Sequence, residues 1–291
     1  MPILTRRPFA VSAPHRSGNP CFSPGTRFLI APDVSAIIGT TAARRLRPQA
    51  VVTLVAAGAL AAWIVTVARM RGMDMGPGTD VGGLGWFLGI WVTMMAAMML
   101  PSALPMVLLF GRIANGRGSR GTLASTIAFV VGYLGAWTAF GLVAFGLARL
   151  VRGLEPGFLS WDDQGPIVAG SALAAAGLYQ LTPLKWLCLR HCRSPLSFVV
   201  RHWRDGPVGA ARMGTAHGTY CVGCCAGLML ILFALGVMSL LWMAIVAALV
   251  FAEKVVPAGD KLAPLIALAL VGVGIWVAVD PGSFPGLIQP M

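Results

Sequence analysis

The chain has 291 residues, of which 57% are hydrophobic and only 11% charged, against roughly 25% charged in a soluble domain. With a mean hydropathy of +0.79, this excludes an ordinary water-soluble globule and sets an integral membrane protein as the class. The net charge of +12 does not indicate nucleic acid, because the arginines stand between apolar runs and in the N-terminal tail; no zinc-finger array, glycine-rich phosphate loop or basic-aromatic face accompanies them.

Residues 1–47 are rich in Arg, Pro and Ser, with Asp33 the only acid. Too few apolar residues are present to offset the entropy of ordering, and no signal-peptide core follows the first arginines. A disordered basic tail on the cytoplasmic side is predicted, an organelle transit peptide being the second reading. A membrane domain is predicted over 48–280 and a short C-terminal tail over 281–291.

Within that domain, apolar runs of about the length needed to cross a bilayer fall near 50–68, 86–110, 122–148, 166–183 and 262–279, each read as a helix. A further run, 216–256, is too long for one crossing at about 1.5 Å per residue. Gly236 near its middle permits a tight turn, so a helical hairpin is predicted there. The fold expected is all-α, a polytopic transmembrane bundle of about seven spans, with six as the alternative. Arg44, Arg45 and Arg47, then Arg112, Arg117 and Arg120, then Lys185 through Arg212 mark the cytoplasmic loops and place the N-terminus inside. No Asp, Glu, Lys or Arg lies in the middle of any span, which argues against an ion-coupled pump. No internal repeat is evident.

The second run contains "LGIWVTMMAAMMLPSALPM". Met94 and Met98 stack one helical turn apart, as do Met95 and Met99. Pro101 and Pro105 remove two backbone donors and are predicted to kink the helix beside these sulfurs. Methionine is also an ordinary gap-filler, so the stripe alone reads as packing. A second cluster, "AHGTYCVGCCAGLM", sets His217, Cys221 and Cys224 at i, i+4 and i+7 with Cys225 beside them, an arc of about 100° on a helix. Thiolates with an imidazole are the donor set preferred by Cu(I), with Zn(II) as alternative. Flanking Gly218, Gly223, Ala226 and Gly227 let a partner helix approach closely. The third cluster, "CLRHC", holds Cys188, His191 and Cys192. In the first external loop, "MRGMDMG" offers Met70, Met73 and Met75.

These motifs carry a resemblance. "WVTMMAAMMLPSALP", "LYQLTPLKWLCLRHCRSPL", "HWRDGPVGAARMGTAHGTYCVGCCAGLM" and "LGVMSLLWMA…EK", spanning about 84–256, resemble the bacterial predicted metal-binding integral membrane proteins, a family sometimes labelled copper chaperone. Ala226 departs from the aromatic residue expected after the paired cysteines. The resemblance implies a multi-pass protein of the bacterial inner (plasma) membrane with a metal role.

The leading expectation is a non-enzymatic protein that sequesters or relays Cu(I). In it, His217, Cys221, Cys224 and Cys225 form the main site, and Cys188, His191 and Cys192 an exchange site. Met94, Met95, Met98 and Met99 form a weaker intramembrane site. The users would be a copper enzyme under assembly or a soluble copper chaperone. The alternatives are a membrane thiol–disulfide oxidoreductase, a passive metal transport subunit, and a scaffold in which Cys and Met only pack.

Overall fold

The computed structural model describes residues 48–70, 82–116, 121–153, 161–235, 240–257 and 259–280. Among these residues the chain forms nine helices and no strand. They are α1 (Pro48–Met70), α2 (Leu84–Gly116), α3 (Thr122–Gly153), α4 (Trp161–Gln180) and α5 (Pro183–Arg193). After these come α6 (Pro195–His202), α7 (Gly206–Leu235), α8 (Leu240–Val255) and α9 (Gly259–Val279). The tails 1–47 and 281–291, Gly236, Arg117, Arg120, Met73 and Met75 lie outside the described residues.

Five helices are long and apolar enough to cross a membrane: α1, α2, α3, α7 and α9. A sixth span arises only if α4 and α5, bent by 63° at their junction, are counted as one broken crossing. The predicted count of seven rested on the hairpin's second arm. That arm is α8, whose 16 residues make a helix of about 24 Å, short of a hydrocarbon core of about 30 Å. The hairpin itself is present in outline. Cys221 on α7 touches Lys254 on α8 although they are 33 positions apart, so the chain must double back between them.

Burial, rather than polarity, distinguishes the faces of these helices. On α1, Val51, Val55, Ala59, Ala62, Thr66 and Met70 are buried, while Leu54, Leu60 and Ile64 are exposed. The buried set recurs every three or four residues, and the outward set is just as apolar, as a lipid-facing helix requires. The most apolar windows of α2 and α7 are each 56% buried, against 28%, 22% and 28% for α1, α3 and α9. The methionine helix and the cysteine helix are therefore the most buried of the five helices long enough to cross a membrane. α2 runs unbroken as a helix through Pro101 and Pro105.

Glycine sets how closely two of these helices approach. A Cβ at Gly214 of α7 would coincide with the Phe129 carbonyl of α3, and one at Gly132 of α3 with the Ala211 carbonyl of α7. That near-contact of backbones makes α3–α7 the most extensive pairing in the bundle, in keeping with small residues at membrane helix interfaces.

Two short helices connect α4 to α7. Thr182 caps α5, accepting from Lys185 N at 3.3 Å, with Pro183 at the first helical position, where its missing N–H costs nothing. Of three charged residues near helix ends, Lys185 and Glu253 are buried and Lys254 is half-buried. Lys185 is fully buried and donates to Glu253 Oε1 at 2.8 Å and Oε2 at 2.7 Å. Gln180 Nε2 also donates to Oε1, at 3.2 Å. The apolar helices carry no mid-helix charge, as read from the sequence, yet folding buries Lys185 and Glu253 and half-buries Lys254, all from helix ends. Only pairing offsets the desolvation of such groups.

Candidate metal centre

The site is assembled where α5 and α8 lie against the middle of α7. On α7, Cys221, Cys224 and Cys225 are all buried. Half-buried Cys192, from the last turn of α5, brings its Sγ to 3.7 Å from Cys224 Sγ. Cys224 Sγ in turn stands 3.5 Å from Cys225 Sγ and 3.2 Å from the Cys221 carbonyl, to which it donates. Cys221 stands about one helical turn before Cys224 and Cys225 on the same helix. Four thiols from two helices therefore form one group.

Two further residues hold Cys221. Lys254 Nζ on α8 donates to its sulfur at 2.9 Å, and Tyr133 Oη on α3 lies 2.9 Å from the same atom. Neither was singled out from the sequence. Hydrogen bonds of this kind orient a soft donor and tune its basicity.

The other sequence candidates separate. Cys188 is buried against Gly223, where a Cβ would stand 2.6 Å from its Sγ, and the Gly223 carbonyl accepts from Tyr179 Oη. His191 stacks flat on Tyr220, with ring centroids 4.3 Å apart, and its Nδ1 lies 2.8 Å from the Leu187 carbonyl. His217 is buried among Phe129, Tyr133 and Phe198, and its Nδ1 has no hydrogen-bond partner among the described residues. Met94, Met95, Met98 and Met99 are all buried on α2, at 0%, 0%, 2% and 0% exposure. α2 packs chiefly on α1, α3 and α8.

A cavity of about 180 Å³ adjoins the thiol group. Its walls include Ser102 and Met106 of α2, Tyr133 of α3, Cys192 and Arg193 of α5, His217 of α7 and Lys254 of α8. None of the four nominated methionines lines it, but Met106 does. Met106 follows Met99 by seven residues and so shares its helix face. Extending the stripe two turns past Met99, to the residue just after Pro105, would have found it.

The donors suit a soft metal in kind. Two sulfurs about 2.3 Å from one ion can lie no more than about 4.6 Å apart, and the 3.7 Å and 3.5 Å separations fall inside that limit. The arrangement is not a finished centre: among the described residues, no group of three or more His, Cys, Asp or Glu side chains converges on a single ion position. All five described cysteines are free thiols.

A family model, PpoB2, described as "Copper chaperone", matches residues 88–277. The chain belongs to this family. The match takes in the methionine helix, the CLRHC segment, the cysteine helix and Lys254 together. Membership in the PpoB2 copper chaperone family gives the chain a copper-related role. No curated protein and no solved structure matches it significantly.

Proposed function

We propose that the protein is a multi-pass membrane protein that binds Cu(I) through Cys192, Cys221, Cys224 and Cys225 and passes it to a copper enzyme or a soluble copper chaperone. The observation that carries this reading is the four-thiol group itself, brought together from α5 and α7 with sulfur separations of 3.5 Å and 3.7 Å. Thiolates outrank thioethers, imidazoles and oxygen donors for Cu(I). Copper is the cargo here, and handling it is ligand exchange without redox change. Each thiol loses its proton as it takes the ion, so binding releases protons. Lys254 and Tyr133 keep the Cys221 sulfur facing the group.

In this reading the apolar outward faces of α1, α3 and α9 contact the lipid bilayer of a bacterial inner membrane. The arginine-rich segments favour an N-terminus in the cytoplasm, where thiols remain reduced. Cys188 and the Met94–Met99 quartet pack the surrounding core. His191 stays outside the site, stacked on Tyr220.

The test is elemental analysis and copper X-ray absorption on detergent-purified protein kept under reductant. Sulfur-coordinated Cu(I), most of it lost in both Cys221→Ser and Cys224→Ser, is the expected result. Stoichiometric zinc would move the assignment to a zinc site. No metal in the reduced protein, together with a Cys192–Cys224 disulfide that cycles during turnover, would turn it to the oxidoreductase.

A further inference from the structure

The cavity beside the thiol group contains two donors that the four-thiol reading does not use. His217 lines it at 3% exposure, and its buried Nδ1 lacks a hydrogen-bond partner among the described residues. Buried polar nitrogens are nearly always satisfied, and an orphan at a cavity wall points to a ligand. From α2, Met106 contributes a buried thioether to the same cavity. Cys192 belongs to both places. It lines the cavity and stands 3.7 Å from Cys224 Sγ.

We propose that Met106 and His217 form a docking subsite for Cu(I), from which the ion passes by way of Cys192 into the Cys221–Cys224–Cys225 group. The proposal rests on the copper reading above and adds the direction of travel. A thioether and an imidazole are neutral soft donors that hold Cu(I) more loosely than thiolates do, so the gradient runs inward. The cavity also defines the form in which copper arrives. Arg193 and Lys254 stand in its wall, and this positive charge repels a bare cation. Cu(I) held between two thiolates carries a net single negative charge and is attracted instead.

The exchange balances without an oxidant. One carrier thiolate leaves as the Met106 sulfur or a His217 ring nitrogen bonds to copper. The second leaves as Cys192 bonds, and the proton released by Cys192 goes to that departing thiolate. Copper remains Cu(I) throughout.

The test uses the full-length protein in detergent micelles with Cu(I) supplied as an anionic bis-thiolate complex. In a Cys221→Ser/Cys224→Ser/Cys225→Ser variant, residual Cu(I) is expected with mixed nitrogen and sulfur coordination. Adding Met106→Leu or His217→Phe should abolish it. With the thiols intact, the same two changes should slow loading about tenfold or more, the lower end of what losing even a supporting partner costs a metal site. Met106→Leu conserves volume and so keeps the test valid should His217→Phe misfold. The subsite is overturned if the triple-Ser variant holds no copper while Met106→Leu loads at the wild-type rate. If the wild-type thiols bind no copper, the relay fails with the copper reading. Nitrogen-coordinated copper in the triple-Ser variant would still establish the subsite.

Discussion

Lys185 and Glu253 form a two-pronged ion pair, with Lys185 Nζ 2.8 Å and 2.7 Å from the two carboxylate oxygens. The residues are 68 positions apart, and the pair pins the start of α5 to the last turn of α8. Arg193, at the end of α5, adds a second tie, donating to the Glu253 carbonyl at 2.7 Å and the Pro257 carbonyl at 2.6 Å. These contacts fix the helix ends that hold Cys192 and Lys254, the first beside Cys224 and the second on the Cys221 sulfur. The buried charges thus serve the thiol group by fixing its frame.

Breaking one half of that pair should cost far more than removing both. Lys185→Met leaves a buried carboxylate without its cation, and a loss of about 3–5 kcal/mol is expected. The double variant Lys185→Met/Glu253→Gln leaves no uncompensated charge and should recover most of it. Thermal unfolding in detergent reads both. Equal losses in the single and double variants would show that the pair contributes packing rather than charge balance.

Much of the bundle was legible because apolar length is a strong signal. Every predicted apolar region corresponds to one or two helices in the structure, and α2 and α7 hold the motifs expected of them. Two things were not legible. The division of the run 216–256 was one, since the sequence shows its total length but not where it breaks; five helices, or six with the bent pair, have crossing length against the seven or six expected. The charged neighbours of the thiols were missed because Glu253 and Lys254 sit at a helix end and look like solvated loop charges in one dimension. The doubling back of the chain around Gly236, inferred from that same run, already implied that residues after 250 lie opposite the cysteines. Tyr133 had no such clue, being one of five aromatic residues, with Phe129, Trp137, Phe140 and Phe145, in an apolar run.

Close approach of α3 and α7 gives a second, sharper test. In Gly214→Ala the new methyl must occupy the place of the Phe129 carbonyl. Overpacking of this kind typically costs about 1–3 kcal/mol, and here it also moves Tyr133 relative to Cys221. On the same α3, Gly135 has nothing within 4 Å of an added Cβ, so Gly135→Ala should be neutral or slightly stabilising. Unfolding midpoints and copper content should both fall in the first variant and in neither case for the second. Wild-type stability of Gly214→Ala would mean the helices cross less closely.

Cys188 and Cys192 are one helical turn apart on α5 but meet different neighbours. Cys192 reaches Cys224, whereas Cys188 faces the bare backbone of Gly223. Cys192→Ser should therefore lower copper affinity, and Cys188→Ser should leave it within about twofold while costing only modest stability as a small buried hydrophobe. Competition with a chromogenic Cu(I) chelator measures both. Equal losses would bring Cys188 back as a ligand.

The methionines of α2 divide in the same way, by what each one faces. Met94, Met95, Met98 and Met99 are buried but stand apart from the cavity wall, to which Met106 contributes its thioether. Leucine nearly conserves methionine's volume, so a Met→Leu change in a well-packed core usually costs less than about 1.5 kcal/mol. The quadruple Leu variant should therefore insert, fold and carry wild-type copper at the wild-type loading rate. Met106→Leu should be as stable but load slowly, because it removes a sulfur from the path rather than from the packing. Loading is read by stopped-flow loss of the carrier complex's absorbance, and folding by size-exclusion profile and thermal midpoint. If the quadruple variant folds yet loads slowly while Met106→Leu does not, copper travels along Met94, Met95, Met98 and Met99, and the cavity is not its route.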